Sequence, residues 1–235
     1  MQDAEDEVCI LEQVESYDGK ETLGVILAGD GNNRAMIQKM RQKAEEWRKL
    51  IRSGHLEPST AWHGMNSTIL RTLYYPLPAL TLTKEECRHI MAPVLQAGLN
   101  AAHMSKNLPR DLVYGHIEEG GLGVKDIYHE QGVSHLYYLT KHLEHDGITG
   151  KLLRCTLEAA MVELGSQRQL FSLDYNRYSP ILTDCWIKCA WKSVFENGIN
   201  FQQHVATPPK ALRECDIAIM DAIIQSGRYS KLELQ

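Results

Sequence analysis

Apolar and polar residues recur along this chain with two different periods, and the change falls close to residue 30. Before it, Leu23, Val25 and Leu27 repeat every second residue, which predicts a strand with one buried face. Val8, Ile10 and Val14 alternate only in part, and Tyr17-Asp18-Gly19-Lys20 between the two runs is a tight-turn sequence. Residues 7 to 27 therefore predict a β-hairpin, the one strong β signal in the chain.

After residue 30 the period is three to four. Ile37, Met40, Ala44, Trp47 and Ile51 share one face of a helix predicted over 34–52, with Asn32 or Asn33 as its N-cap. Gly54 and Pro58 break the pattern before a helix at about 60–75, which Pro76 and Pro78 end. Thr83-x-x-Glu86 is a capping box opening a third helix, with Cys87, Ile90, Met91, Val94 and Leu95 as its apolar face and Pro93 as a kink. Four more helices are expected near 127–145, 149–164, 180–196 and 208–226. Gly165, Gly198 and Gly227 stand where C-terminal glycines belong, and Pro180 and Pro208 where first-turn prolines do. The predicted fold is mainly α, a multi-helix bundle with a small N-terminal β-hairpin.

The interval from Leu108 to Asp126 lacks helical periodicity, and the chain reads as organised around it. Gly120, Gly121 and Gly123 permit positive φ or close backbone approach, while Leu122 and Val124 can still be buried, so the interval predicts a structured hinge. Asp126 occupies the N-cap position of the next helix. A phosphate-binding loop would end in Lys followed by Ser or Thr, whereas Val124-Lys125-Asp126 follows here.

Composition narrows the class. At 43% hydrophobic and 23% charged, 235 residues describe a globular chain of one large or two small domains. No apolar run approaches the roughly 20 residues needed to cross a bilayer. The start, Gln2-Asp-Ala-Glu-Asp-Glu, is acidic where a secretory signal is basic, so an intracellular protein, cytoplasmic or nuclear and without membrane partners, is expected. Six scattered cysteines (Cys9, Cys87, Cys155, Cys185, Cys189, Cys215) fall in apolar-periodic segments and read as reduced core thiols. The net charge of −5 argues against a uniformly basic surface, but the distribution is uneven. Seven Lys or Arg against two Glu lie between Arg34 and Arg52, and Arg34, Arg41, Arg48 and Arg52 form a stripe along one flank of the predicted helix. Such a stripe is either a solvated edge or a phosphate-tracking surface.

No active site is nominated. His135, His142 and His145 on one predicted helix invite a zinc reading, but the Glu between two His four apart that marks a zinc hydrolase is missing. Glu85-Glu86 and Glu118-Glu119 are adjacent pairs whose side chains diverge, and no Gly-x-Ser-x-Gly elbow occurs.

Three blocks carry a resemblance. Glu21-Thr-Leu-Gly-Val-Ile-Leu with Asp30-Gly31 and the basic helix after it resembles a primer-grip strand leading into a thumb. Leu73-Tyr-Tyr-Pro-Leu-Pro-Ala-Leu, Thr83-x-x-Glu-Cys87 and Ala92-Pro-Val-Leu95 form the second block, and Leu108-Pro-Arg through Gly120-Gly-Leu-Gly-Val-Lys-Asp126 the third. In this order they are similar to the region downstream of the palm in reverse transcriptases of non-LTR-type retroelements; Arg213-Glu-Cys-Asp-Ile-Ala-Ile-Met-Asp221 is similar to a later part. The resemblance implies an end-of-palm hairpin over 1–30, thumb-like helices over 31–107, the hinge over 108–126 and a post-thumb helical region over 127–235. It also implies primer contact by Leu23 and Gly24, and contact of an RNA or DNA primer–template by Arg34, Arg41, Lys43, Arg48 and Arg52. Polymerase chemistry needs a Tyr-x-Asp-Asp pair and an upstream Asp around two metal ions. No Asp-Asp dipeptide occurs here and few residues precede the hairpin, so no catalysis is expected of this chain, and magnesium would belong to a palm located elsewhere, on another chain or an upstream segment. The competing expectation is a non-enzymatic helical scaffold that binds another protein through an apolar groove.

Overall fold

The computed structural model describes residues 14–201 and 217–227, and it is mainly helical with one small antiparallel sheet near its start. The sheet pairs β1 (Lys20–Thr22) with β2 (Val25–Leu27), in register Lys20 to Leu27 and Thr22 to Val25. The expected hairpin is thereby shifted. Leu23 and Gly24 form the two-residue turn, with φ of 51° and 85°, and Leu23 is 85% exposed rather than within a strand. Tyr17-Asp18-Gly19 is a bend ahead of the sheet, and most of the first predicted strand lies outside the described residues.

The long helix α1 (Arg34–Ser53) forms where its periodicity places it, but its buried face is centred on Met36, Met40, Ala44 and Ile51, with Ile37 and Trp47 at the edges. Asn33 is its N-cap without a side-chain bond; the neighbouring Asn32 Oδ1 accepts from the Arg34 amide instead, at 3.2 Å. Pro58 opens α2 (Pro58–Gly64), which continues through one π turn, Met65–Ile69, into α3 (Leu70–Tyr74). The helix α4 (Lys84–Ala101) carries the full capping box: the Glu86 amide donates to Thr83 Oγ1, and the Thr83 amide to the Glu86 carboxylate at 2.8 Å. Pro93 is buried inside a continuous helix.

α1 and α4 run parallel. Asn33 bonds Thr81 at one end of the pair, and Ile51 packs with Ala97 at the other. Their facing sides, with α2, α3 and the loop before α4, make a first core that includes Met40, Leu73, Leu77, Ile90 and Leu95.

The glycine-rich interval is ordered. It contains a short helix α5 (Arg110–Tyr114) and a 3-10 turn, Ile117–Glu119, and then folds back on itself. The amides of Leu122, Gly123 and Val124 donate to the carbonyls of Leu112, Gly115 and Val113. Glycine is required there because a Cβ at Gly121 would overlap the Gly115 carbonyl, and Gly120 and Gly123 hold φ of 85° and 67°. Val113 and Val124 seal the first core.

From Asp126, whose carboxylate lies 3.1 Å from His129 rather than on a helix amide, α6 (Ile127–His142) starts in the first core with Ile127 and ends in a second with Leu139. The passage between the two cores is thus a helix. The second core collects α7 (Ile148–Leu164), the short α8 (Tyr175–Tyr178), α9 (Trp186–Glu196) and α10 (Ile219–Ser226) around Leu157, Met161, Tyr178 and Trp191. Pro180 does not open a helix, since the last turn before it belongs to α8 and α9 starts at Trp186; Pro208 lies outside the described residues. Gly165, Gly198 and Gly227 each follow a helix with positive φ, as expected of C-terminal glycines.

Between the cores runs an extended segment, 80–83, that pairs with no strand among the described residues. Side chains satisfy it instead. Gln131 donates to the Leu82 carbonyl at 3.1 Å and accepts from the Leu82 amide at 2.8 Å, His135 Nε2 meets the Leu80 carbonyl at 2.9 Å, and in the turn just before the segment Trp186 Nε1 reaches Pro78 O at 2.8 Å. No helix among the described residues is long and apolar enough to cross a membrane.

Candidate nucleic-acid interface

The residues singled out for phosphate contact sit on α1, and helical geometry divides them. At 100° per residue Arg34, Arg41, Arg48 and Arg52 fall within about 40° of one another, on one flank of the buried face, while Lys39 and Lys43 lie roughly 160° away on the other. The hairpin covers that second flank. Lys39 Nζ bridges Glu21 at 2.7 Å and the Gly24 carbonyl at 2.9 Å, the Ile26 amide rests on Met36 Sδ, and Tyr75 OH donates to the Leu23 carbonyl at 2.9 Å. Leu23, Gly24 and Lys43 are therefore not brought together with the arginine stripe.

Carboxylates neutralise part of the set. Lys43 pairs with Glu46 at 3.0 Å, and that bond together with one from Gln42 holds the Glu46 carboxyl below its usual range. Arg48 Nε lies 2.7 Å from Glu45 without hydrogen-bond geometry. Arg34, Arg41 and Arg52 are exposed and have no ion-pair partner among the described residues. The remaining positive strip is three guanidinium groups long, and the acidic first residues that could neutralise it further lie outside the described set.

Each end of the α1/α4 pair opens a cleft. At the C-terminal end a cleft of about 260 Å³ is lined by Arg48, Arg52, Gln96, Asn100 and two histidines, His55 and His103. Both histidines adopt left-handed backbone just past a helix end, with φ of 43° and 57°, positions where glycine or asparagine is usual. Two helix C-termini converge there, and their partial negative charge is the first thing Arg48 and Arg52 offset, which leaves less attraction for an added anion. At the N-terminal end a cleft of about 640 Å³ contains Asn33, Thr81, Tyr128, Trp186, Lys188 and Lys192. Its lysines are engaged too: Lys188 with Asp184 at 2.8 Å and Lys192 with Glu196 at 3.8 Å. No local motif marks either cleft, because parallel α1 and α4 bring together residues some 50 positions apart and the larger cleft adds residues of α6 and α9 from still farther along the chain.

The histidine set does not converge. His135 is fully buried, held by the Leu80 carbonyl and packed on Trp186 at 4.6 Å, and burial pushes its imidazole down to about 4 against the pull of the Leu80 and Leu77 carbonyls. His142 stacks near Tyr138, and His145 is exposed. Among the described residues no three His, Cys, Asp or Glu side chains are grouped to hold a metal. The cysteine expectation needs one correction: Cys87 is buried and Cys185 and Cys189 are half-buried, but Cys155 is exposed; Cys9 and Cys215 lie outside the described residues.

Of the stretch from Arg213 to Asp221, only the end is described. Asp221 is buried and accepts from Tyr178 OH at 2.7 Å, Ser166 Oγ at 3.1 Å and the Gln167 amide at 3.2 Å, which fastens α10 to the second core. Burial alone would raise its carboxyl, but these bonds and the Arg168 guanidinium hold it below the usual range.

Neither a protein-family model nor a curated protein nor a solved structure matches the chain.

Proposed function

We propose that this chain is a thumb-like nucleic-acid-binding module of the reverse-transcriptase type, without polymerase chemistry of its own, that meets primer–template phosphates along the arginine flank of α1. The observation that supports this reading is the exposure of Arg34, Arg41 and Arg52 on one flank without carboxylate partners among the described residues. Planar, permanently charged guanidinium groups spaced along a rigid helix suit a regular polyanion, and such contacts position a duplex without reading its bases. The interface is narrower than the resemblance implies, because Leu23, Gly24 and Lys43 occupy the opposite flank.

Fluorescence anisotropy of a labelled hairpin primer–template, titrated at low and at physiological salt, tests it. Saturable binding that weakens several-fold with salt is expected. The double substitution Arg34→Glu, Arg41→Glu should lower the magnitude of the salt slope by about 2 and the affinity at least tenfold. Binding unchanged by that substitution refutes the reading. A protein-interaction scaffold is the second reading, favoured by an uncovered apolar face on α7.

A further inference from the structure

α7 is apolar on two opposite sides. Leu157, Ala160, Met161 and Leu164 face the second core and are buried. Turned roughly half a revolution away, Ile148, Leu152, Cys155, Ala159 and Val162 form an exposed row; Ile148 is 80%, Leu152 63% and Val162 68% exposed. Their spacing of four, three, four, three places them within an arc of about 80° along some 21 Å of helix, the pattern of a coiled-coil seam. Solvent is a poor neighbour for such a row, and single scattered apolar residues do not make one.

The edges of the row say what fits it. One edge carries Lys151 and Glu158, both exposed and without an ion-pair partner among the described residues; the other carries Thr149, Thr156 and Glu163. When two copies of α7 lie antiparallel across a two-fold axis near Cys155, like edges face each other, so Lys151 of each copy stands opposite Glu158 of the other, twice over. In a parallel pair, unlike edges would face and Glu158 would meet Glu163 of the second copy, a repulsive contact repeated twice. The row is also nearly symmetric about Cys155, which lies seven residues from both Ile148 and Val162.

We infer that the exposed face of α7 is a homodimerisation surface, and that it takes a second copy of this chain in antiparallel orientation with Cys155 at the axis. A single helix pair covers less than the roughly 1,600 Å² of a standard interface, so the association is micromolar in strength and dependent on concentration. The inference does not rest on the nucleic-acid reading, since α1 and α7 belong to different cores.

Sedimentation velocity of the full chain from about 5 to 200 µM is the test. A monomer–dimer equilibrium is expected, and Leu152→Glu, at an exposed position where folding is spared, should abolish it. Lys151→Glu and Glu158→Lys should each weaken the dimer about fivefold or more, and the two together should restore it to within about twofold. A short bis-maleimide should link the wild-type chain into a dimer through Cys155 and lose most of that product in Cys155→Ser. A chain that stays monomeric throughout overturns the inference, whether Cys155 then reacts freely or is shielded by another segment of the same chain. A dimer indifferent to Leu152→Glu, or one tightened by Glu158→Lys alone as a parallel pair would be, overturns it equally.

Discussion

The two cores are built on different principles. The first, around α1 and α4, is closed by apolar contact: every fully buried residue between positions 14 and 124 is apolar or glycine. Among the described residues, all four buried polar side chains, Gln131, His135, Ser166 and Asp221, come from the second half of the chain. The outer surfaces invert this. The first half shows a strip of unpaired arginines to solvent, and the second shows a seam of Ile, Leu, Cys, Ala and Val. Buried polar side chains thus come from one half only, although Gln131 and His135 reach back to Leu82 and Leu80 of the first core, and a change of conditions that attacks buried polar groups should strike at those four side chains.

Acid should produce the largest difference. The buried His135 has a folded value near 4 against an ordinary 6.5, so the unfolded chain takes up the proton first. Its contribution is complete above pH 6.5 and is lost progressively as pH falls towards 4, to a total of about 3 kcal/mol. Urea unfolding at pH 7.5, 5.5 and 4.5 should show that loss in the wild type and much less of it in His135→Gln. An equal acid response in both proteins would remove His135 as the cause.

Next in size is the junction. Gln131→Leu keeps the helix but leaves the Leu82 amide and carbonyl without partners, at a cost of about 2 kcal/mol. It should also loosen the coupling of the halves, so that fluorescence and circular dichroism transitions, expected to coincide in the wild type, separate. Transitions that still coincide at unchanged stability would show that apolar contact alone joins the two cores.

The smallest expected effect is a gain. Leu23 holds φ of 51° on an exposed turn, where its side chain contributes nothing to burial and its Cβ is strained. Leu23→Gly should stabilise the protein by about 1 kcal/mol, a rise in Tm of about 2–4 °C. A fall in Tm would mean that the Leu23 side chain has a packing role.

What was legible in the sequence divides by the range of the signal, local against tertiary. α1, the capping box at Thr83 and Glu86, and the glycines after three helices were readable because their signals are local: a period, a cap, a left-handed residue. The hairpin register was not, because Asp18-Gly19 is the better turn sequence and tertiary bonds from Tyr75 and Lys39 hold the poorer one, Leu23-Gly24, in its place. Nor does a sequence show that an imidazole such as His135 supports a distant carbonyl, or that Gln131 does the work of a neighbouring strand. Of the proposed interface, the arginine stripe could be drawn on a helical wheel. That Glu45 and Glu46 engage Arg48 and Lys43, and that the hairpin takes the other flank, required the fold.

The strap at 80–83 also has a history within each molecule's synthesis. Chains emerge N-terminus first, and the partners of this segment arrive late: Gln131 is 49 residues beyond Leu82, His135 is 55 beyond Leu80, and Trp186, which holds the turn just before it, is 108 beyond Pro78. Until they emerge, the β-prone run Leu80-Thr-Leu-Thr83 holds the Leu80 carbonyl and the Leu82 amide and carbonyl without the partners they have in the fold, the kind of edge to which another nascent chain adds a strand. Translation through α9 closes that window, and a ribosome that stalls between α4 and α6 would hold it open.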